Sequence, residues 1–279
     1  MKHAFYKKSL QLLIKDIPVI LSFTVIIVFS LSAIFAPFIT KYDPDKQILS
    51  QRLLEPGKEH WFGTDEFGRD IFTRCIYGCR ISLSVGVISQ IISCIIGTIL
   101  GICAAFYKKA DTVISFFIQV FSSIPFLLMA MALMYALGSG LLNLYVSLGL
   151  LSWTGTARLV RGTALQFKNQ EYVQSCKIDG GSDLRIIMKH LLPNCIPMII
   201  ISATIGIPEA ILTEASLSYL GLGVPSPTAS WGSMIAGAQV YIRTNTYYSL
   251  FSGLCIIMIV ISFNILGDGL RDILDPKLQ

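Results

Sequence analysis

Charge is what this chain has least of. Only 14% of its 279 residues are Asp, Glu, Lys or Arg, where a soluble domain carries about a quarter. Apolar residues make up 53%, and the mean hydropathy is +0.66. An ordinary soluble domain is therefore excluded, and the chain reads as a bilayer protein. Only helices and closed barrels can satisfy their backbone groups in lipid. The uncharged runs here are of helix length, so the fold class is an all-α integral membrane protein.

Histidine is scarcer still, with His3, His60 and His190 alone and no HExxH pair, so a zinc enzyme has little to be built from. Seven cysteines are present without a CxxC pair, which is no disulfide framework. Cys75 and Cys79, the one close pair, read as helix-facing thiols rather than metal ligands. The GxxxxGK[ST] phosphate cradle is missing as well. The single Gly-Lys, Gly57 and Lys58, runs into Glu59. This chain is expected to hydrolyse no nucleotide and to bind no cofactor or metal. Nor do reactive groups converge within a span: Asp268, between Gly267 and Gly269, is one acid at a membrane edge, so the chain is not read as an enzyme. A net charge of +5 could suggest nucleic acid. The basic residues instead sit at the edges of apolar runs without interleaved aromatics, as topology signals do, and no nucleic-acid partner is expected.

The runs themselves give an order of spans. Residues 17–39 are 23 uncharged positions preceded by Lys2, Lys7, Lys8 and Lys15, long enough to cross about 30 Å of hydrocarbon. The run outlasts a signal-peptide core and ends in Pro37 and Phe38 rather than a cleavage site, so it reads as an uncleaved first crossing. Residues 40–80 hold fourteen charges, seven of each sign, with prolines at 44 and 56; they read as an aqueous outer loop. Residues 81–107 form a second span, closed by Lys108 and Lys109. The 46 uncharged residues 112–157 are twice one crossing, with Gly138, Ser139 and Gly140 as a turn between spans over 112–137 and 141–157. Spans over 193–220 and 247–267 complete six, with both termini cytoplasmic. Residues 1–40 are then a tail and first helix, 41–80 an outer loop, 81–270 the core and 271–279 a tail. On that layout fourteen of 22 Lys and Arg lie inside, as the positive-inside bias asks.

Two acids stand inside the fifth span. Glu209 and Glu214 are expensive there, at about 2.5 to 3.5 kcal/mol for an acid at a helix centre. Five positions turn a straight helix by about 500°, which leaves the carboxylates about 140° apart and unable to share one site. A polar pathway or an inter-subunit hydrogen bond, and an ordinary hydrated place near the outer interface, both stay open.

Residues 158–192 carry six Lys or Arg against three acids and read as cytoplasmic. Helix formers run from Leu165 to Ile178, and Gly180 and Gly181 stop them, glycine being best suited to the left-handed turn at a helix end. Ser182 can cap a second helix, with Asp183 placed well against its dipole. Leu184, Ile187, Met188 and Leu191 are expected to form its apolar face, with Pro193 ending it. The product is an elbow beneath the membrane, either packed on its own bundle or laid into a groove on a partner.

The stretch EYVQSCKIDGGSDLRIIMKHLLPN, from Glu171 to Asn194, resembles the EAA loop of ATP-binding-cassette importer permeases, which defines their coupling helix. Gly180, Leu192 and Pro193 match it. Gln174, Ser175 and Cys176 stand where the Glu-Ala-Ala triplet would be. HWFGTDEFGRDIFTRCIYGCRISL, beginning at His60, is similar to the segment before the second span in C-type permeases of dipeptide, oligopeptide and nickel importers. Gly63, Thr64, Asp65, Gly68, Arg69 and Asp70 fall in register there. SIPFLL, WTGTARLVRG, TEASLSYLGLG, PSPTASWG and GDGLRDILDPKL match the same family.

That resemblance implies a type I importer permease in the cell membrane. It would pair with a homologous second permease around the solute path. Two separate cytoplasmic ATP-binding subunits would grip the elbows, and an extracellular solute-binding protein would deliver the load. Glu171, Gln174, Gly180, Gly181, Ser182, Asp183 and Leu184 would then form the ATPase-coupling loop. The outer motif would meet the binding protein or the second permease, or act as a structural turn. The family carries peptides, nickel or metal chelates; no His or Cys ladder runs along a span, so peptide leads. The rival from another class is a standalone ion-coupled carrier titrating Glu209 and Glu214.

Overall fold

A computed structural model describes residues 16–274, and these are helical apart from the loops between helices. The sequence-based placement of the two chain ends and the lysines of the N-terminal tail lies outside the described residues. The elements, in order, are α1 (Ile17–Ile34), α2 (Ala36–Ile39), α3 (Ile71–Phe106), α4 (Lys108–Ser123), α5 (Phe126–Leu137), α6 (Leu141–Lys168), α7 (Glu171–Ile178), α8 (Asp183–Ile186), α9 (Leu192–Tyr219), α10 (Trp231–Ala238) and α11 (Thr246–Leu274). Among the described residues, four helices are long and apolar enough to cross a membrane, or five if the bent pair α4 and α5 counts as one span.

Helix α3 is the axis of the bundle and touches α1, α6, α9, α10 and α11. Small residues let it approach so closely. A Cβ on Gly97 would come within 2.6 Å of the Thr156 side chain, and one on Gly101 within 2.7 Å of the Ala157 carbonyl, both on α6. Gly86 meets Ile207 and Ile211 of α9 in the same way. Lipid supplies no hydrophobic drive between helices, so backbone approach and dispersion hold them.

The expected loop over residues 40–80 is too long by ten residues. Helix α3 begins at Ile71, where the Asp70 side chain accepts a hydrogen bond from Thr73 N at 2.7 Å. Charge counting ended the loop at Arg80 because Arg74 and Arg80 are charged. Both belong to the helix and donate to carbonyls elsewhere: Arg74 to Pro44 O at 2.9 Å and Arg80 to Ala33 O at 2.9 Å.

The span expected over residues 112–137 is not one rod. Helices α4 and α5 meet at 93° across Ile124 and Pro125. Proline has no N–H to continue the ladder and drives the residue before it out of the helical region, and Ile124 is extended at φ −100°, ψ 134°. The turn at Gly138 to Gly140 falls where the sequence places it, fastened by Asn143 Nδ2, which donates to Leu137 O at 2.8 Å and Gly138 O at 2.9 Å. Helix α6 then runs on to Lys168, eleven residues past the expected end of its span at 157.

Pro193 does not end the second elbow helix. From α8 a single π turn, Ile187–Leu191, leads straight into α9. A proline at 193 would clash with the carbonyl four residues back and leave it without a donor. The widened π turn makes room at that point and the helix continues.

Candidate functional site

The elbow is built around one glycine turn. Helix α6 stops at Lys168, whose carbonyl accepts Gln174 Nε2 at 2.9 Å. Glu171 sits in the first turn of α7, favourable to the helix dipole. At the other end of α7, Gly180 takes φ +79° and Gly181 N donates to Cys176 O at 2.9 Å. Ser182 Oγ accepts from Arg185 N at 3.4 Å and caps α8, with Asp183 in its first turn. Asp183 Oδ2 also accepts from the Tyr107 hydroxyl at 3.2 Å.

The expected single apolar face of the second elbow helix is split. Ile186 and Leu191 are buried with Val173 of α7, against Phe106 and Phe167. Leu184 is 70% exposed, Met188 55% and Ile178 at the tip of α7 85%. Part of the apolar set therefore anchors the elbow, while the rest stands free on its outer side. Exposed apolar side chains beside charged residues such as Asp183, Arg185 and Lys189 make this side of the elbow a candidate interaction surface.

The outer motif folds into a compact knot that brings all six of its singled-out residues together. Thr64 and Asp70 form an antiparallel bridge. The Asp65 carboxylate, fully buried, accepts from Phe67 N at 2.9 Å, Arg69 N at 2.9 Å and Arg69 Nε at 2.5 Å, and lies 3.5 Å from Arg74 Nε. Asp70 caps α3 with one oxygen and meets His60 Nδ1 at 2.8 Å with the other. Thr64 Oγ1 accepts from Leu54 N and donates to Gln51 O. Gly63 and Gly68 take φ +80° and +73°, and a Cβ on Gly68 would run into the Ile48 carbonyl. His60, Arg74 and Gln51 belong to this knot although the motif did not single them out. For Arg74 the signal was the unusual number of charges in one loop; Gln51 and His60 gave none.

The two span acids part company. Glu209 is exposed on this chain, whereas Glu214 is fully buried. Glu214 Oε1 accepts from Ser218 Oγ and Ser230 Oγ, each at 2.7 Å, and Oε2 from Ser82 Oγ at 3.2 Å. Ser230 also caps α10, whose first amide, Trp231 N, donates to Ser82 Oγ at 3.3 Å. The three serine donors lie on or beside α3, α9 and α10, and through Glu214 they pin these helices together. Ser82 escaped sequence reasoning because it lies 132 positions from the acid.

All seven cysteines are free, and Cys75 and Cys79 are buried on α3. Among the described residues no three His, Cys, Asp or Glu side chains gather as metal ligands.

Comparison with known proteins agrees with this architecture. Residues 97–279 match the family model for the binding-protein-dependent transport system inner membrane component, and residues 6–56 that for the N-terminal TM domain of oligopeptide transport permease C. The dipeptide transport system permease protein DppC of Bacillus subtilis (strain 168) is 44% identical over 250 residues, 88% of this chain and 78% of that protein. The oligopeptide transport system permease protein OppC of the same organism is 40% identical over 256 residues, 91% of this chain and 84% of that one. The probable D,D-dipeptide transport system permease protein DdpC of Escherichia coli (strain K12) is 38% identical over 275 residues, covering 98% and 92%. A chain of the MetNI methionine ABC transporter, solved in inward facing conformations, shares the fold at a TM-score of 0.60 and 20% identity, over 72% of this chain and 96% of that one. The elbow, the spans and these matches converge: this chain belongs to the family of binding-protein-dependent transport system inner membrane components, which are transport permeases and not enzymes.

Proposed function

We propose that this chain is the peptide-carrying permease subunit of an ATP-binding-cassette importer in the cell membrane, crossing it six times with both termini in the cytoplasm. The crossing that raises the count from five to six is α6, whose apolar first half precedes the basic elbow. A homologous second permease completes the solute path. Two cytoplasmic ATP-binding subunits engage the elbows, and an extracellular solute-binding protein delivers peptide to the outer face. ATP is consumed by those partners, and this chain contributes the lever and half of the channel wall. Membership of a binding-protein-dependent family replaces the standalone ion-coupled carrier.

The observation that carries the proposal is the exposed apolar set Ile178, Leu184 and Met188 on an elbow whose other face is anchored in the bundle. A helix with that division can be gripped from outside and still move the spans behind it. Relatives named for dipeptides and oligopeptides favour peptide over nickel. The test is uptake of a labelled dipeptide and of nickel in a strain lacking this chain. Loss of dipeptide uptake, restored by the gene, is the expected result; loss of nickel uptake with dipeptide uptake intact would overturn the solute assignment.

A further inference from the structure

Between α3 and α4 a single residue, Tyr107, is non-helical, at φ −109° and ψ 116°. This joint is tied to the elbow from several directions. Lys168, the last residue of α6 before the elbow, donates to Ala105 O and Phe106 O at 3.0 Å each, occupying carbonyls at the C-terminal end of α3. The Phe106 ring packs with Val173, Ile186 and Leu191 of the elbow, and the Tyr107 hydroxyl reaches Asp183.

Helix α4 beyond the joint is held to α6 near each end by an arginine. Near its start, Arg161 Nε and Nη2 donate to the two oxygens of Asp111 at 2.6 and 2.8 Å, and Ser115 Oγ donates to the same carboxylate at 3.0 Å. Near its other end, Arg158 Nη2 donates to Ser122 Oγ at 2.9 Å. Between them Ile114 and Ile118 rest on Trp153 and Ala157 of α6. Ser122 borders the 93° break, beside a cavity of about 440 Å³ lined by Ser122, Ser123, Pro125, Phe126, Leu151 and Thr154.

We propose that Asp111 and Arg161 are positioning residues that lock α4 to α6, so that displacement of the elbow is delivered through α4 to the break at Ile124 and Pro125. This rests on the reading of the elbow as the ATPase-gripped lever. Both side chains are about a third exposed, at 30% and 32%, and a pair so placed adds little to stability. Its two-pronged geometry instead fixes direction: one carboxylate and one planar guanidinium hold the helices in a single register. Without it α4 keeps its apolar seat but can slip relative to the elbow.

The test uses the complete transporter in proteoliposomes, reading labelled dipeptide moved per ATP hydrolysed. Asp111→Ala and Arg161→Ala are each expected to lower that ratio by about tenfold, a usual size for coupling between sites. Asp111→Glu, which keeps a carboxylate within reach, is expected to stay within about twofold of wild type. The double alanine variant should be no worse than either single, because one interaction is lost only once. The melting temperature of the assembled transporter should not move. A wild-type ratio in both single variants, or an additive loss in the double, overturns the proposal. Leu184→Asp separates this from failure of the underlying reading. If it abolishes uptake while Asp111→Ala leaves the ratio intact, the lock alone is wrong; if Leu184→Asp also transports normally, the lever itself is wrong.

Discussion

Gly68 in the outer knot and Gly180 in the elbow share nearly the same φ, +73° and +79°, yet their surroundings are opposite. A Cβ at position 68 would strike the Ile48 carbonyl, whereas at position 180 nothing lies within 4 Å. The knot is fixed by packing and by a buried charge cluster around Asp65. The elbow is fixed by its backbone turn, a serine cap and a few anchoring side chains, and its remaining apolar surface is free. A segment that closes on itself resists change at every atom. The elbow instead leaves Ile178, Leu184 and Met188 exposed, as the proposed grip by a partner requires. The two segments thus differ in where their order comes from.

That difference can be broken from the outside inwards. The largest loss is expected for Asp65→Ala, which strands the Arg69 and Arg74 side chains, each 4% exposed, without their shared carboxylate. Removing one partner of a buried ion pair typically costs about 3 to 5 kcal/mol, and thermal unfolding of the purified protein should show it. Valine at the two glycines comes next. Gly180→Val should cost only the left-handed backbone penalty, about 1 to 2 kcal/mol, while Gly68→Val adds a steric clash to that penalty and should unfold at a distinctly lower temperature. Equal melting points for the two would remove the contrast. The smallest effect on stability belongs to Leu184→Asp. An exposed site tolerates change within about 0.5 kcal/mol, so the melting point should hold while peptide uptake and stimulated ATP hydrolysis fall away.

Much of this was legible from residue order. Uncharged runs located α1, α9 and α11, because spanning helices announce themselves by length and lack of charge. Gly180 and Ser182 marked the elbow's turn and cap, since both are local backbone devices. Three things were hidden, each because its cause lies far along the chain. Arg74 and Arg80 looked like loop residues until their carbonyl partners at Pro44 and Ala33 came into view. The burial of Glu214 depends on Ser82 and Ser230, which lie far from it along the chain. The split of the elbow's apolar residues between anchored Ile186 and free Leu184 depends on where Phe106 and Val173 sit, which periodicity over a four-residue helix cannot report. The bend at Pro125 was different in kind. The proline was in plain sight, but it sat in an uncharged run long enough to pass for a straight span.

On the function proposed above, a nucleotide-driven subunit holds the exposed side of the elbow. The most direct measurement replaces Leu184 with the photoreactive amino acid benzoylphenylalanine in intact cells and identifies what is captured on irradiation. Covalent capture of the cytoplasmic ATP-binding subunit is expected, and none when the photoreactive group replaces buried Ile186. Capture of lipid alone, or of the solute-binding protein, would contradict that function.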